Sequence, residues 1–317
     1  MINLFNDNRA GVLLFIPVIV LFYGYMNTHF DYYVIEESLN FGIWGEVKQV
    51  STYGTKILSG SIVIFNAIAI NWIYNSNQFL ERNSYLLALL YCVFYSFFQS
   101  FYHVDGILLA QTSLLIAVYQ FYQLRQNEDG RSHVFNGAFF SGLAATFHPP
   151  MITILPVVWF MIWTIRPFVF RETLLSLVGF GVPLLYAFVF LMYSGHKIDH
   201  RILDQSANFI DKSNDFGVVI TLFAFIFLLS LVAIRRRTQK ASIRLKKLIT
   251  ILWWFAFIGV AFGIIDYIFF RQFERFSFLM IPLAVFFTFA FSQKSFSAVG
   301  SILFYLTLVY SLIKFLI

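Results

Sequence analysis

Charge is what this sequence has least of. Only 12% of its 317 residues are Asp, Glu, Lys or Arg, roughly half the share of an ordinary soluble domain. That scarcity excludes a soluble globular chain and places most residues inside a bilayer. Cysteine is nearly absent too. Cys92 stands alone within an apolar run, so it forms no internal disulfide and no CxxC pair, which argues against redox chemistry and a thiolate metal site. There is no P-loop, no GxGxxG opening a helix, no GxSxG and no HExxH. These absences argue against an ATP-driven pump in this chain, a soluble nucleotide-sugar enzyme and a zinc protease. No repeat of fixed period is found. The net charge of +6 comes from basic residues beside apolar runs, so it marks orientation rather than nucleic-acid binding.

What is plentiful is apolar surface: 59% of the residues are hydrophobic and 21% aromatic. A helix needs about 20 apolar residues to cross a bilayer. Stretches of that kind fall at 11–27, 57–75, 84–101, 106–124, 134–148, 150–166, 173–194, 216–234, 248–270, 276–292 and 296–316. The first, with no small-residue cleavage site after it, reads as a retained span and not a signal peptide. The fifth and sixth form a hairpin broken at His148-Pro149-Pro150, since proline cannot continue a helix but suits the first turn of the next. The run Arg235–Lys247 holds seven basic residues and no acid, and is expected to be cytoplasmic. Eleven spans then put 14 basic residues inside and 8 outside. The expected fold is all-α: one polytopic transmembrane domain over 1–317, with about 11 helices and the N-terminus inside. Outer loops are expected at 28–56 and 194–215, with a basic cytoplasmic loop at 235–247, in a bacterial inner membrane.

Under that topology most acids and histidines face outward, a bias the positive-inside rule does not explain. Residues 28–56 carry His29, Asp31, Glu36, Glu37 and Glu46, and an interfacial helix is expected there from the apolar stripe Ile35, Leu39, Ile43 and Val47 beside Trp44, with Glu36 and Glu37 turned away from it. Carboxylates just outside the membrane can serve as a general base or hold a divalent cation; solvation explains them equally well. Asp105, in the turn with His103, is a candidate N-cap of the fourth span, or a second acid in a cation site with Asp31. Gly137, Ala138, Ser141, Gly142, Ala144 and Ala145 suit close helix packing. His148 is a candidate ligand or base against a structural role. In the loop 194–215, His196 and His200 stand four apart near Asp199 and Asp204, but not as HExxH; a substrate-covering loop is the preferred reading. Asp266 lies about one turn inside the ninth span, where an ionisable group is a functional suspect. Arg271 and Arg275 suit a lipid phosphate, and an Arg pair with Asp266 or Glu274 suits a helix anchor.

The text FNGAFFSGLAATFHPPMITILPVVWFMIWTIRPFVFRETLLSLVGFGVPLL, within Ala88–Gly195, resembles an uncharacterised family of polytopic inner-membrane proteins in Bacteroidota. Some of its members carry the label carotene monooxygenase; this sequence has no iron-ligand histidine set to match it. The segments Gly142–Pro150, Arg166–Arg171 and Gly179–Pro183 also resemble the middle of type-C glycosyltransferases. That resemblance implies a sugar transferred from a polyprenyl phosphate at the outer face. It makes Asp31 the base or cation ligand, with Glu36 and Glu37 in support. His103 and Asp105 become second acid-site or metal-binding groups, and Arg271 and Arg275 the phosphate contacts. The sequence departs from that family where Tyr32 follows Asp31 in place of a second acid. Two other readings remain open. One is a non-catalytic subunit or scaffold of an envelope assembly or secretion machine, with membrane lipid and other membrane proteins as partners. The other is a lipid or solute transporter. An enzyme is expected to join Asp31, Asp105 and Arg271 in an open polar cavity, whereas a scaffold keeps them apart or ties them into ion pairs.

Overall fold

The structure is a computed structural model. It describes residues 2–6, 10–33, 39–47, 51–124, 130–194, 213–239, 241–270, 273–291 and 293–316. After a short α1 (Ile2–Phe5), the helices are α2 (Phe15–Phe30), α3 (Thr52–Ser76), α4 (Leu86–Tyr95), α5 (Gly106–Gln123), α6 (Arg131–Phe147) and α7 (Leu155–Ile165). They continue as α8 (Phe170–Ser194), α9 (Ser213–Gln239), α10 (Ile243–Phe270), α11 (Met280–Phe291) and α12 (Lys294–Ile313). Each helix from α2 onward falls on one of the eleven apolar stretches. Among the described residues, seven stretches are long and apolar enough to cross a membrane, and two shorter apolar helices cover Leu86–Tyr95 and Pro149–Ile165. The chain is an α-helical membrane protein.

Two short helices form the centre. Every residue of α4 and of α11 is buried. Their sequences, LLALLYCVFY and MIPLAVFFTFAF, are apolar on all sides, and a helix of that kind is kept from water by protein or by lipid; here it is protein. Around them stand helices that keep one apolar face outward. Only 28% of the spanning stretch of α2 is buried, and 22% of that of α9, against 89% for the stretch ending in α11. The outer faces of α2, α8, α9 and α12 therefore belong against lipid or other membrane helices.

Helix α6 packs closely between α5 and α8. Its small residues make this possible. A Cβ on Gly142 would stand 2.2 Å from the Phe180 carbonyl oxygen, and one on Gly137 would stand 2.3 Å from the Phe121 ring. The packing role expected for Gly137–Ala145 is thus met. The break after α6 is also where the prolines put it. His148 is the C-cap, and a 3-10 turn over Pro149–Ile154 leads into α7.

The end of the bundle holding the turns after α5, α7 and α9 is basic, and its cations finish helices. Lys247 Nζ donates to the Ile165 carbonyl at 2.7 Å, and Arg166 Nε to that of Leu124 at 3.2 Å. Arg166 also pairs with Glu172 at 3.1 Å. Cations at helix C-termini satisfy carbonyls that lack an intrahelical donor. The stretch 235–247 is less a loop than two helix ends, since α9 runs to Gln239 and α10 starts at Ile243.

One expectation is overturned. The described part of the stretch expected as an interfacial helix is extended. Leu39–Asn40 (β1) pairs antiparallel with Glu46–Val47 (β2) around a 3-10 turn at Gly42–Trp44. The reason is local. Gly42 and Gly45 take φ of +67° and +89°, angles that end a right-handed helix, and the Asn40 side chain accepts from the Gly42 N–H at 2.9 Å. Two glycines inside the four-residue stripe outweighed its helical spacing. Ile35 and the acids Glu36 and Glu37 lie outside the described residues.

Candidate functional site

The opposite end of the bundle gathers ionisable side chains into one buried layer. Helix α4 is only 10 residues long, about 15 Å at 1.5 Å per residue. It stops well short of a bilayer's thickness, so the turn after it is recessed into the bundle. Ser96, Ser100, Phe101, Tyr102, His103 and Val104 of that turn are all buried. Four other segments meet it: the chain after α2, the α6–α7 break, the α10–α11 connection, and the residues after α12.

Asp105 is the N-cap of α5. Its Oδ1 accepts the Leu108 N–H at 2.7 Å and its Oδ2 the Ser100 hydroxyl at 2.5 Å. The capping role expected from sequence is therefore occupied. Burial raises its carboxyl from the ordinary 3.8 to about 6, against the pull of those hydrogen bonds. The neighbouring His103 is 6% exposed, its Nδ1 makes no hydrogen bond, and burial lowers it to about 4, so it is neutral at pH 7.

The raised Asp105 value carries a signed expectation. The folded protein binds this proton more tightly than the unfolded chain, so Asp105 favours folding at low pH and opposes it increasingly as pH rises from about 4 to about 6. Melting of the detergent-solubilised protein should show this as a falling contribution across that window. Asp105→Asn keeps a capping side chain and should flatten that part of the profile. Equal slopes for variant and wild type would remove the assignment.

The α10–α11 connection supplies the strongest pair. Arg275 Nη1 lies 2.9 Å from Asp266 Oδ1, with both side chains almost fully buried, and the Arg275 N–H reaches Asp266 Oδ2 at 3.4 Å. The helix-anchor reading of Asp266 with an arginine is the one the geometry takes. Glu274, 7% exposed, turns the other way. Its Oε1 and Oε2 accept the Gln99 N–H at 3.0 and 3.1 Å. It stands within electrostatic reach of Asp105, Asp266 and Lys314. His148 is buried between Phe262 and Phe278, ring centroids 6.3 and 5.8 Å away, close to Arg275, with no hydrogen bond at Nε2. Two glycines hold the break beside it. A Cβ on Gly42 or on Gly106 would come within 2.3 Å of the Phe147 carbonyl oxygen. Trp44 Nε1 donates to Thr146 Oγ1 at 3.0 Å.

The residue that sequence reading passed over is Lys314. It looks like one more basic residue at the end of an apolar run. In the fold it is 2% exposed. Its Nζ donates to the Ser96 carbonyl and to the Tyr102 hydroxyl, the latter at 3.2 Å. The rings of Tyr32, Tyr33, Phe97, Tyr102 and Phe315 surround it with centroids 4.8 to 5.6 Å away. Burial pushes the amine well below its ordinary pKa, a cost that ring faces offset in part when it is charged. Tyr33 is pinned as well. Its N–H and C=O are matched by the Asn27 side chain, and its hydroxyl donates to the Phe97 carbonyl at 2.5 Å. No local pattern predicts that cage, because its members come from three distant segments.

Asp31 is not part of the layer's bonding. It is exposed at the C-cap of α2, with φ 47° and ψ 38°, a left-handed conformation that aspartate tolerates. Glu36, Glu37, Arg271, His196 and His200 lie outside the described residues. Among the described residues no group of three or more His, Cys, Asp or Glu is arranged to hold a metal ion. The layer thus brings together His103, Asp105, His148, Asp266 and Arg275 of the expected site residues, adds Glu274 and Lys314, and leaves Asp31 apart. No known protein family, curated protein or solved structure matches the chain.

Proposed function

We propose that this protein is a non-catalytic membrane subunit or scaffold of a bacterial cell-envelope assembly, with its buried ionisable layer toward the outside of the inner membrane. One observation carries the reading: the described acids best placed for chemistry are already engaged. Asp105 caps α5 and takes the Ser100 hydroxyl, Asp266 pairs with Arg275, and Glu274 accepts from the Gln99 backbone. Buried ionic groups seldom add net stability. Their use here is to hold five chain segments in one arrangement. The layer then acts as an end plate that fixes the ends of the helices, while the outward apolar faces of α2, α8 and α12 meet partner helices.

A type-C-like transfer of sugar from a polyprenyl phosphate is the second reading. What favours it is the cost of seven buried titratable groups at one end of the bundle, since such groups inside membranes mark functional sites. Complementation of a deletion strain separates the two. Asp31→Asn and Asp105→Asn are expected to support growth at normal membrane abundance if the protein is a scaffold. Loss of function at normal abundance, with transfer from a polyprenyl-phosphate sugar abolished in membranes, would replace the scaffold reading by the enzymatic one.

A further inference from the structure

An apolar cleft of about 180 Å³ opens between α9 and the α10–α11 connection, lined among others by Phe98, Phe223, Ala224, Phe227, Phe273 and Met280. We infer that it holds part of one acyl chain of a glycerophospholipid from the leaflet on the side of the ionisable layer. Three observations lead there. The helix that forms one wall is a membrane-spanning stretch with only 22% of its residues buried, and Ile220, Phe225 and Leu228 on it are 43%, 56% and 57% exposed. The cleft therefore opens where hydrocarbon is the surrounding medium.

Size selects the occupant. An apolar protein cavity of roughly 150 Å³ takes a ligand as small as benzene, whereas a helix with its side chains is about 10–12 Å across. Part of a slender, flexible chain can therefore enter this cleft and a partner helix cannot. Position selects the leaflet. Phe98 and Phe273 on its wall are followed directly by Gln99 and Glu274, which are bonded to each other in the buried layer. The chain would run from that end of the bundle toward its middle, with its headgroup at the interface. The site does not depend on the proposed function. A bound chain would fill the space beside α9 that no described side chain fills.

The test uses the full-length protein in nanodiscs of phosphatidylethanolamine and phosphatidylglycerol that carry a diazirine on one acyl chain. After irradiation, labelled peptides are mapped by mass spectrometry. Labelling is expected on residues near Ala224 and within 273–280, and Ala224→Trp, which fills the cleft, should reduce it about tenfold. Leu228→Trp, on an exposed face of α9, should leave cleft labelling unchanged. Equal cleft labelling in Ala224→Trp and wild type, at equal thermal stability, would overturn the site. If Ala224→Trp does not assemble, Phe227→Ala decides. It enlarges the cleft and should raise the labelling yield, and an unchanged yield would count against the proposal. Recovery of a prenyl chain in place of an acyl chain by native mass spectrometry would overturn it too. So would crosslinking to a second copy of the protein through a photoreactive residue placed at position 224.

Discussion

Removing either partner of the Asp266–Arg275 pair is expected to cost about 3–5 kcal/mol, the usual penalty for leaving one buried charge without its counter-ion. Arg275→Met strands a carboxylate at a position that is 0% exposed, and Asp266→Leu strands a guanidinium at one that is 3% exposed. Both variants should yield little folded protein in detergent and melt far below wild type. The double variant Asp266→Leu/Arg275→Met should recover much of the loss, because replacing a whole buried pair by apolar side chains is often neutral or better. Single variants that melt like wild type would mean that water reaches the pair. The double variant also bears on function. A pair that only anchors the α10–α11 connection can be replaced with function kept. An arginine that must grip a phosphate cannot, and function would then fail at normal abundance.

Gly142→Ala is expected to destabilise by about 1–3 kcal/mol, the range for forced overpacking. The added Cβ would lie 2.2 Å from the Phe180 carbonyl oxygen. That atom belongs to the backbone of a packed helix, so the relief must come from moving α8 as a body. Two other glycines calibrate the effect. At Gly137 the Cβ would meet the Phe121 ring at 2.3 Å, and a ring can turn where a backbone cannot. At Gly181 nothing lies within 4 Å, so alanine there should be neutral or slightly stabilising through its helix propensity. The expected order of melting temperatures is Gly181→Ala highest, then Gly137→Ala, then Gly142→Ala. If Gly142→Ala melts with Gly181→Ala, the close approach of α6 and α8 is not what requires glycine. If it keeps its melting temperature but loses function, the run from Gly142 to Pro150 has a role beyond packing.

Sequence alone determined the helical elements of this protein. The eleven apolar stretches each became a helix because burial in hydrocarbon depends on composition summed along the chain, and a helix satisfies its own backbone without help from its neighbours. The break at His148 followed from two prolines, and the cap at Asp105 from one side chain and the turn after it, both local causes. Tertiary structure decided the rest. Whether Asp266 would meet Arg275 or stand alone depended on the fold of the α10–α11 connection. Lys314 became a buried, ring-caged amine only because Tyr32, Tyr33, Phe97 and Tyr102 were brought to it from elsewhere. Gly42 belongs to an extended turn, in a stretch with a helical apolar stripe, and there it approaches the Phe147 carbonyl. Hydropathy ranks residues for burial in the bilayer. It does not state which side chains the assembled helices bring together, and most of the buried ionisable layer is made of such meetings.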